Sequence, residues 1–200
     1  LTVVAQMLGF VSLVSKADSQ FVSARQAILE YCLKTIIAFQ QVHADVAQKA
    51  LPEAVGAVVR LFNAGNADTG CSSSSGDVLN LSLALCVLVA ATDTKQSWSA
   101  VRPSIKQIFS CVLPALRLRS CDVALWQHDP DEFVRTNLDP SPVIYRITLE
   151  DFEMASQKEE GSEQELQTAK ACAISASARL SAVRFLHSLA EIPPEIDLHE

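Results

Sequence analysis

Three carboxylates stand close together in ALWQHDPDEFVRTNLD, residues 124–139: Asp129, Asp131 and Glu132. Carboxylates grouped in this way could bind a metal ion or act as general acid and base. The same stretch also follows the pattern of a helix start, because Asp129 suits the N-cap, Pro130 the first helical position and Glu132 the third. We therefore interpret these residues as a variant capping box that specifies a short helix entered by a sharp turn, without a catalytic or metal-binding role.

Aromatic and basic side chains flank this turn. Trp126 and Phe133 are placed to close over it, as a hydrophobic staple does at a helix start. Arg135 has two interpretations. In the first, which we favour, it pairs with Asp129, with Asp131 or with a neighbouring pair of helices and fixes the joint. In the second it reaches a binding partner.

Cysteine and histidine supply the other candidate chemistry. The chain has six cysteines and four histidines, and the cysteines lack the close pairs that are typical of zinc sites. We interpret them as reduced, buried thiols of a cytosolic or nuclear protein. A Cys–His nucleophilic pair stays open, because its members could lie far apart in sequence. GNADTGCS (65–72) resembles a phosphate-binding loop, but Cys71 stands where the lysine is needed, so no nucleotide or other cofactor is predicted.

Hydrophobic periodicity predicts an all-α chain. Hydrophobic residues make up 49% of the sequence, whereas only six glycines and eight prolines are present, too few for the many turns of an all-β fold. Apolar residues recur every three or four positions along most of the chain, which is the helical period. The predicted helical segments are 1–15, 21–39, 51–62, 78–92, 99–118 and 164–191.

Prolines and polar residues place the ends of these segments. Pro52 suits an early position of its helix, and 63–77 is predicted to be a polar loop. Pro103 is expected in the first turn of the helix at 99–118, and Pro114 is expected to kink or end it. Helix pairs repeating about every forty residues are typical of HEAT or armadillo arrays, although a plain helical bundle gives a similar pattern.

Charge and hydropathy exclude some partners. The net charge is −7 and no basic cluster exceeds the pair Arg117 and Arg119, so a nucleic-acid partner is not predicted. The most apolar run, 78–91, is about five residues short of a membrane span, so membrane insertion is not predicted either. An acidic surface fits a basic protein partner, although solubility alone explains it equally well.

The stretch SWSAVRPSIKQIFSCVLPALRLRSCDVALWQHDPDEFVRTNLD (97–139) resembles the middle region of the importin-β (karyopherin) superfamily, above all the importin seven/eight branch. Those proteins carry a helix with a Trp, a Lys/Arg-Pro and a late Pro. An acidic loop follows, and then Leu-Trp, Asp-Pro, Glu, an aromatic residue, Ile or Val, and Arg. The matching positions are Trp98, Arg102, Pro103, Ile105, Ile108, Pro114, Leu125, Trp126, Asp129, Pro130, Glu132, Phe133, Val134 and Arg135.

This resemblance implies a HEAT-repeat solenoid, with 1–200 a segment of about four to five helix pairs of a longer chain. It implies a monomeric nuclear transport receptor that shuttles between nucleus and cytoplasm through the nuclear pore. Its partners would be protein cargo, nucleoporins and the small GTPase Ran in its GTP form. The family has no catalytic site and no cofactor. Trp98 and Trp126 are interpreted as packing anchors between repeats, in preference to pockets for phenylalanine-glycine nucleoporins.

An acidic insertion at about 138–165 is the candidate binding element. On the concave face of a solenoid it would meet a basic patch on Ran or a basic cargo through attraction that salt weakens. The alternative is a solvated insertion between HEAT helices. Its acidic residues are Glu150, Asp151, Glu153, Glu159, Glu160, Glu163 and Glu165.

Two other functions stay open at this point. One is a helical-repeat scaffold or adaptor without a transport role, which binding of Ran would distinguish. The other is a helical-bundle enzyme that uses buried cysteine and histidine side chains, which would need a cysteine of low pKa or a bound metal.

Overall fold

All regular structure in the described part of the chain is helical. In this computed structural model the described residues are Val4, Gln6, 22–65, 75–92, 94–138 and 163–192. No strand occurs among them, which confirms the predicted all-α class. None of the helices in these ranges is both long enough and hydrophobic enough to span a membrane.

Eight α-helices and one 3₁₀ turn are described. In chain order they are α1 (Val22–Val42), α2 (Ala44–Gly65), α3 (Ser75–Ala91), α4 (Lys95–Val101), the 3₁₀ turn (Arg102–Ser104), α5 (Ile105–Ala115), α6 (Ser120–His128), α7 (Pro130–Leu138) and α8 (Glu163–Ala190). The segments predicted at 21–39, 78–92 and 164–191 are confirmed as α1, α3 and α8.

Helix α2 begins earlier than predicted, and Pro52 lies in its interior. The backbone N–H groups of Val46 and Ala47 donate to the carbonyl of His43 at 3.1 and 2.8 Å, so the helix starts directly after α1. The prediction of Pro52 at an early helical position is therefore wrong. Its cost to the helix is offset by burial, because the apolar face of α2 continues through the proline from Ala47 to Phe62.

The single helix predicted at 99–118 is divided. α4 starts at an N-cap, where Thr94 Oγ1 accepts from the N–H of Ser97 at 3.3 Å. Pro103 lies in the 3₁₀ turn between α4 and α5 instead of in a first α-helical turn, because it has no N–H to continue the α-helical ladder. Pro114 stands one residue before the end of α5, which confirms it as an end signal.

Helix α3 is the centre of the core. Apolar side chains occupy most positions around it, and Leu83, Leu85, Val87 and Leu88 are fully buried. It packs against α1 and α8, while α2 packs against α4 and α5. These helices therefore form two layers, α1–α3–α8 and α2–α4–α5, and α6 and α7 lead back to α8.

A polar seam joins α3 to α8 inside this core. Ser82 Oγ lies 2.8 Å from Ser177 Oγ and 2.9 Å from Ser181 Oγ, and Cys86 Sγ lies 3.5 Å from Ser181 Oγ. The earlier residue of α3 contacts the earlier serine of α8, and the later residue contacts only the later serine. The two helices therefore run in the same direction where they touch.

Several predicted features lie outside the described residues. These are the helix end at 1–15 apart from Val4 and Gln6, the phosphate-loop-like stretch after Gly65, Cys71, and the acidic insertion between 139 and 162.

Candidate functional site

The turn between α6 and α7 has the N-cap that the sequence predicts. Asp129 Oδ1 accepts a hydrogen bond from the backbone N–H of Glu132 at 3.0 Å. Pro130 is the first residue of α7, where a missing N–H costs nothing. The N–H of Asp129 donates to the carbonyl of Leu125 at 2.8 Å, and its carbonyl accepts from Phe133 at 3.0 Å. One residue therefore ends α6 and starts α7.

Glu132 does not complete the predicted capping box. Its carboxylate accepts from Nε and Nη2 of Arg135 at 2.7 and 2.6 Å, and from Thr136 Oγ1 at 3.2 Å. The backbone N–H of Asp129, which Glu132 was expected to bind, donates to Leu125 instead. The reciprocal half of the box is wrong because an arginine one turn later attracts the same carboxylate.

The two tryptophans occupy different environments. Trp126 packs edge-on against Phe133, with ring centroids 5.3 Å apart and planes at 77°, which confirms the predicted closure over the turn. Trp126 is nevertheless 52% exposed. Trp98 is buried in the core with Val101 and Ile108, as expected of a packing anchor.

A buried ion pair, 57 residues apart in sequence, joins α6 to α8. Asp122 Oδ2 accepts from Arg179 Nη1 at 2.6 Å, and Oδ1 accepts from Nη2 at 2.9 Å. The side chains of Asp122 and Arg179 are only 1% and 11% exposed. A two-point contact between guanidinium and carboxylate fixes orientation as well as distance. The pair therefore sets the position of α6 on α8.

Further polar groups complete this network. Asp122 Oδ2 also accepts from the backbone N–H of Arg119 at 2.7 Å and from Ser175 Oγ at 2.8 Å. Arg179 Nε donates to Asn137 Oδ1, on α7, at 3.2 Å. We call Arg119, Asp122, Asn137, Ser175 and Arg179 the polar joint. It holds the start of α6, the end of α7 and the middle of α8 together.

The electrostatics of the polar joint favour an ion pair. Burial by itself would raise the pKa of Asp122. The hydrogen bonds from Arg179, from the backbone of Arg119 and from Ser175, together with the charge of Arg179, outweigh burial and hold this pKa below its ordinary value. Asp122 is therefore ionised at neutral pH. Because its oxygens are committed to these donors, it is unsuited to act as a general base.

Two thiols adjoin the polar joint. Cys121 Sγ, Cys172 Sγ and a carboxylate oxygen of Asp122 lie within 4.8 Å of one another, which is part of a zinc ligand set. However, Cys172 Sγ donates to the carbonyl of Cys121 at 3.2 Å. Burial, the neighbouring Cys121 and the charge of Asp122 raise the pKa of Cys172 to about 12. Without a bound ion, Cys172 is a protonated thiol bonded to the backbone and both oxygens of Asp122 accept from Arg179, so a metal would have to displace these contacts.

The cysteine environments also bear on the enzyme hypothesis. Burial raises the pKa of Cys32. Burial likewise raises the pKa of Cys86, although a hydrogen bond from Ser181 and the charge of Arg184 act in the opposite direction. A nucleophilic cysteine needs a lowered pKa. Cys32, Cys86 and Cys172 therefore have the electrostatics of packed thiols and not of nucleophiles.

The acidic residues predicted to bind partners are only partly described. Glu163 and Glu165 belong to the first turn of α8. The others lie outside the described residues: Glu150, Asp151, Glu153, Glu159 and Glu160.

Sequence reasoning missed the polar joint. Asp122 and Arg179 are far apart along the chain, and each alone resembles a surface residue. One signal was present, because Cys172, Ser175 and Arg179 follow one another at helical spacing along α8. A single arginine in a run of small, buried side chains indicates a buried partner charge.

Comparisons with protein-family models, with curated proteins and with solved structures find no match to this chain. Any assignment of function must therefore be argued from the residues and the contacts described above.

Proposed function

We propose that this chain is a segment of an importin-β-type nuclear transport receptor, folded as a HEAT-repeat solenoid. In this role it binds protein cargo and the small GTPase Ran in its GTP form. The observation that carries the proposal is the motif in 97–139, in which Trp98, two prolines, Leu125-Trp126 and Asp129-Pro130 occur in order before Arg135. The combination is much more specific than any of its parts.

The packing of the helices supports a solenoid. α1 contacts α2, and α3 contacts both α2 and α4, so successive helices pack on one another. α8 then lies on α3 in the layer that α1 and α3 occupy, and it runs parallel to α3. Stacked helix pairs place every second helix in one layer with a common direction.

The contacts of the motif fit a structural part in such a stack. Asp129 caps α7, Trp126 packs on Phe133, and Trp98 is buried in the core. The polar joint then holds α6 and α7 on α8. In this interpretation the motif shapes the connection between successive helix pairs, and partner binding falls to other surfaces, such as the acidic stretch at 150–165.

Nucleotide-dependent binding of Ran tests the proposal. Full-length protein that contains this segment would be titrated with Ran loaded with GTP and, separately, with GDP, at two salt concentrations. We expect binding that prefers the GTP form and weakens with salt, because exposed charges are screened. Neutralising the acidic residues of 150–165 would then show whether that stretch contributes.

The opposite result would favour the alternative function. If neither form of Ran binds, the likeness to transport receptors is architectural only. The chain would then be assigned as a helical-repeat scaffold or adaptor, for which the same layered packing is sufficient.

A further inference from the structure

The two thiols beside the polar joint lie close to each other. Cys121 is the second residue of α6, and Cys172 lies on α8, 51 residues later in the sequence. Both are free thiols, and their sulfur atoms are no more than 4.8 Å apart. A disulfide needs about 2.05 Å between the sulfurs. Rotation of a cysteine side chain between staggered positions moves its sulfur by a distance of the same order as this gap.

The surrounding contacts keep the two thiols together. Cys172 Sγ donates to the carbonyl oxygen of Cys121 at 3.2 Å. Asp122, the next residue of α6, is bound at two points by Arg179 of α8, at 2.6 and 2.9 Å. Groups that are held in contact in this way react as if they were present at very high concentration.

We propose that Cys121 and Cys172 form a redox-modification site, which closes to a disulfide on oxidation by a peroxide and locks α6 on α8. Cys121 is half-buried, whereas Cys172 is only 2% exposed, so a small oxidant such as hydrogen peroxide reaches Cys121 first. In a reducing compartment such disulfides are usually transient and serve in redox sensing. This inference does not rest on the proposed transport function.

The reaction has two steps. In the first, the thiolate of Cys121 attacks hydrogen peroxide, so that an S–O bond forms, the O–O bond breaks and hydroxide leaves. In the second, the sulfur of Cys172 attacks the sulfenic acid on Cys121, so that the S–S bond forms and the S–O bond breaks. The proton of Cys172 is transferred to the leaving hydroxide. In total, two thiols and one peroxide give one disulfide and two waters.

The two cysteines have different roles in this sequence of steps. Burial, followed by the effects of Cys121 and Asp122, raises the pKa of Cys172 to about 12, although Arg179 acts in the opposite direction. Because the thiolate is the reactive form, Cys172 is a poor target for peroxide. Its reaction with the sulfenic acid relies on contact with Cys121, and we expect this second step to be the slower one.

A closed disulfide changes how α6 is held on α8. In the reduced protein these helices are joined by the hydrogen bonds and the ion pair of the polar joint. Proteins open locally as well as globally, and a cross-link removes every opening that separates its two ends. The oxidised protein should therefore keep the start of α6 on α8 even when the polar joint opens.

The first measurement maps the disulfide by mass spectrometry. Reduced protein, freed of reductant, is treated with hydrogen peroxide, alkylated and digested with trypsin. Trypsin cleaves after arginine and lysine, so each cysteine lies in its own peptide, 120–135 or 171–179. We expect one linked species, two hydrogens lighter than the sum of the two peptides, which dithiothreitol separates. The control Cys111→Ser, which removes another half-buried thiol, should give the same linked species in the same yield.

The second measurement separates the roles of the two thiols. Dimedone, a 1,3-diketone that traps sulfenic acids, is present during the oxidation. Cys172→Ser should carry several times more dimedone on Cys121 than the unmodified protein does, because its hydroxyl does not consume the sulfenic acid. This variant should keep its fold, since the hydroxyl can donate to the carbonyl of Cys121 as the thiol does.

Hydrogen exchange measures the lock itself. Amides of α6 should exchange more slowly in the oxidised than in the reduced protein, whereas amides of α2 should exchange at the same rate in both. The variant Cys172→Ser, treated with peroxide in the same way, should show no slowing in α6.

Three results would overturn the proposal. The first is a peptide 171–179 that is linked to other cysteine peptides, or to a second copy of the chain, as often as to 120–135. The second is oxidation of Cys121 to sulfinic or sulfonic acid in the unmodified protein without the linked species, which would mean that the thiols do not meet. The third is equal exchange of the α6 amides in the oxidised and reduced protein, which would mean that the cross-link locks nothing.

Discussion

Replacing Asp122 by Asn should lower the free energy of unfolding by about 3 kcal/mol. The change keeps the size of the side chain and removes its charge. In the folded protein it leaves the guanidinium of Arg179, only 11% exposed, without its counter-charge. Breaking a buried ion pair from one side costs about 3–5 kcal/mol, because the remaining charge stays desolvated.

The contacts place the expected cost at the lower end of that range. The carboxylate of Asp122 accepts four hydrogen bonds, two of them from Arg179. An asparagine oxygen in the position of Oδ2 keeps the bonds from Arg119 and Ser175. Its NH₂ group would then face Nη2 of Arg179, donor against donor. Asn137 still accepts from Arg179 and relieves part of the loss.

A double-mutant cycle isolates the pair. Urea unfolding, followed by far-ultraviolet circular dichroism, would be compared for the unmodified protein, Asp122→Asn, Arg179→Met and the double variant. We expect a coupling energy of about 2 kcal/mol, since both residues belong to one network. The exposed pair Glu132 and Arg135 is the control, and its coupling should stay within about 0.5 kcal/mol. A coupling between Asp122 and Arg179 as small as that of the control would refute the argument.

Further outcomes follow from the same contacts. Because the pKa of Asp122 is lowered in the folded protein, the stability that its carboxylate contributes is fully present above the unfolded pKa, near 3.9. This contribution is lost as the pH falls through the lower pKa of the folded state. The unmodified protein should thus lose more unfolding free energy than Asp122→Asn between about pH 5 and pH 2, and parallel losses would contradict this. Asp129→Ala should cost about 1 kcal/mol by urea unfolding; lost binding of Ran with unchanged stability would disprove its capping role. Phe185→Ala, at a buried position, should lower the free energy of unfolding by about 3–5 kcal/mol. Val183→Ala, at an exposed position, should lower it by less than about 0.5 kcal/mol, and similar losses for the two variants would mean that their burial is misassigned. A chelator should leave the thermal midpoint unchanged, because the candidate ligand atoms of Cys172 and Asp122 are already hydrogen-bonded within the protein; a drop reversed by zinc would show a metal site.

Helices with a sustained apolar period were predictable from the sequence. α1, α3 and α8 each repeat apolar or small side chains over many turns, and that period is a property of the local sequence alone. The cap at Asp129 was predictable for the same reason, since an N-cap depends on residues within one turn. Local rules failed where a proline competes with burial, as at Pro52, and where it divides a helix, as at Pro103.

The polar joint lay beyond such rules because its partners are distant. The residues next to Asp122 in the sequence give no sign that a guanidinium 57 residues later contacts it. The predicted capping box is a local example of the same effect. The carboxylate of Glu132 accepts a hydrogen bond from Arg135 and not from the backbone N–H of Asp129. Both cases are competitions for one carboxylate. Their outcome depends on which donor the tertiary structure brings closer.

The polar seam between α3 and α8 affects how α8 can move along α3. Ser177 and Ser181 stand one helical turn apart, about 5.4 Å along α8, and Ser82 lies within hydrogen-bond distance of both. A hydroxyl donates and accepts, and its hydrogen rotates. A small shift of α8 along α3 would therefore lengthen one of these contacts, and Ser82 would keep a hydrogen bond to the other serine. If interdigitated leucines stood in place of these serines, the same shift would force them out of the spaces between their neighbours. The polar seam thus tolerates a small displacement of α8 with one hydrogen bond kept, while the fully buried Leu83, Leu85 and Leu88 elsewhere on α3 oppose a larger one.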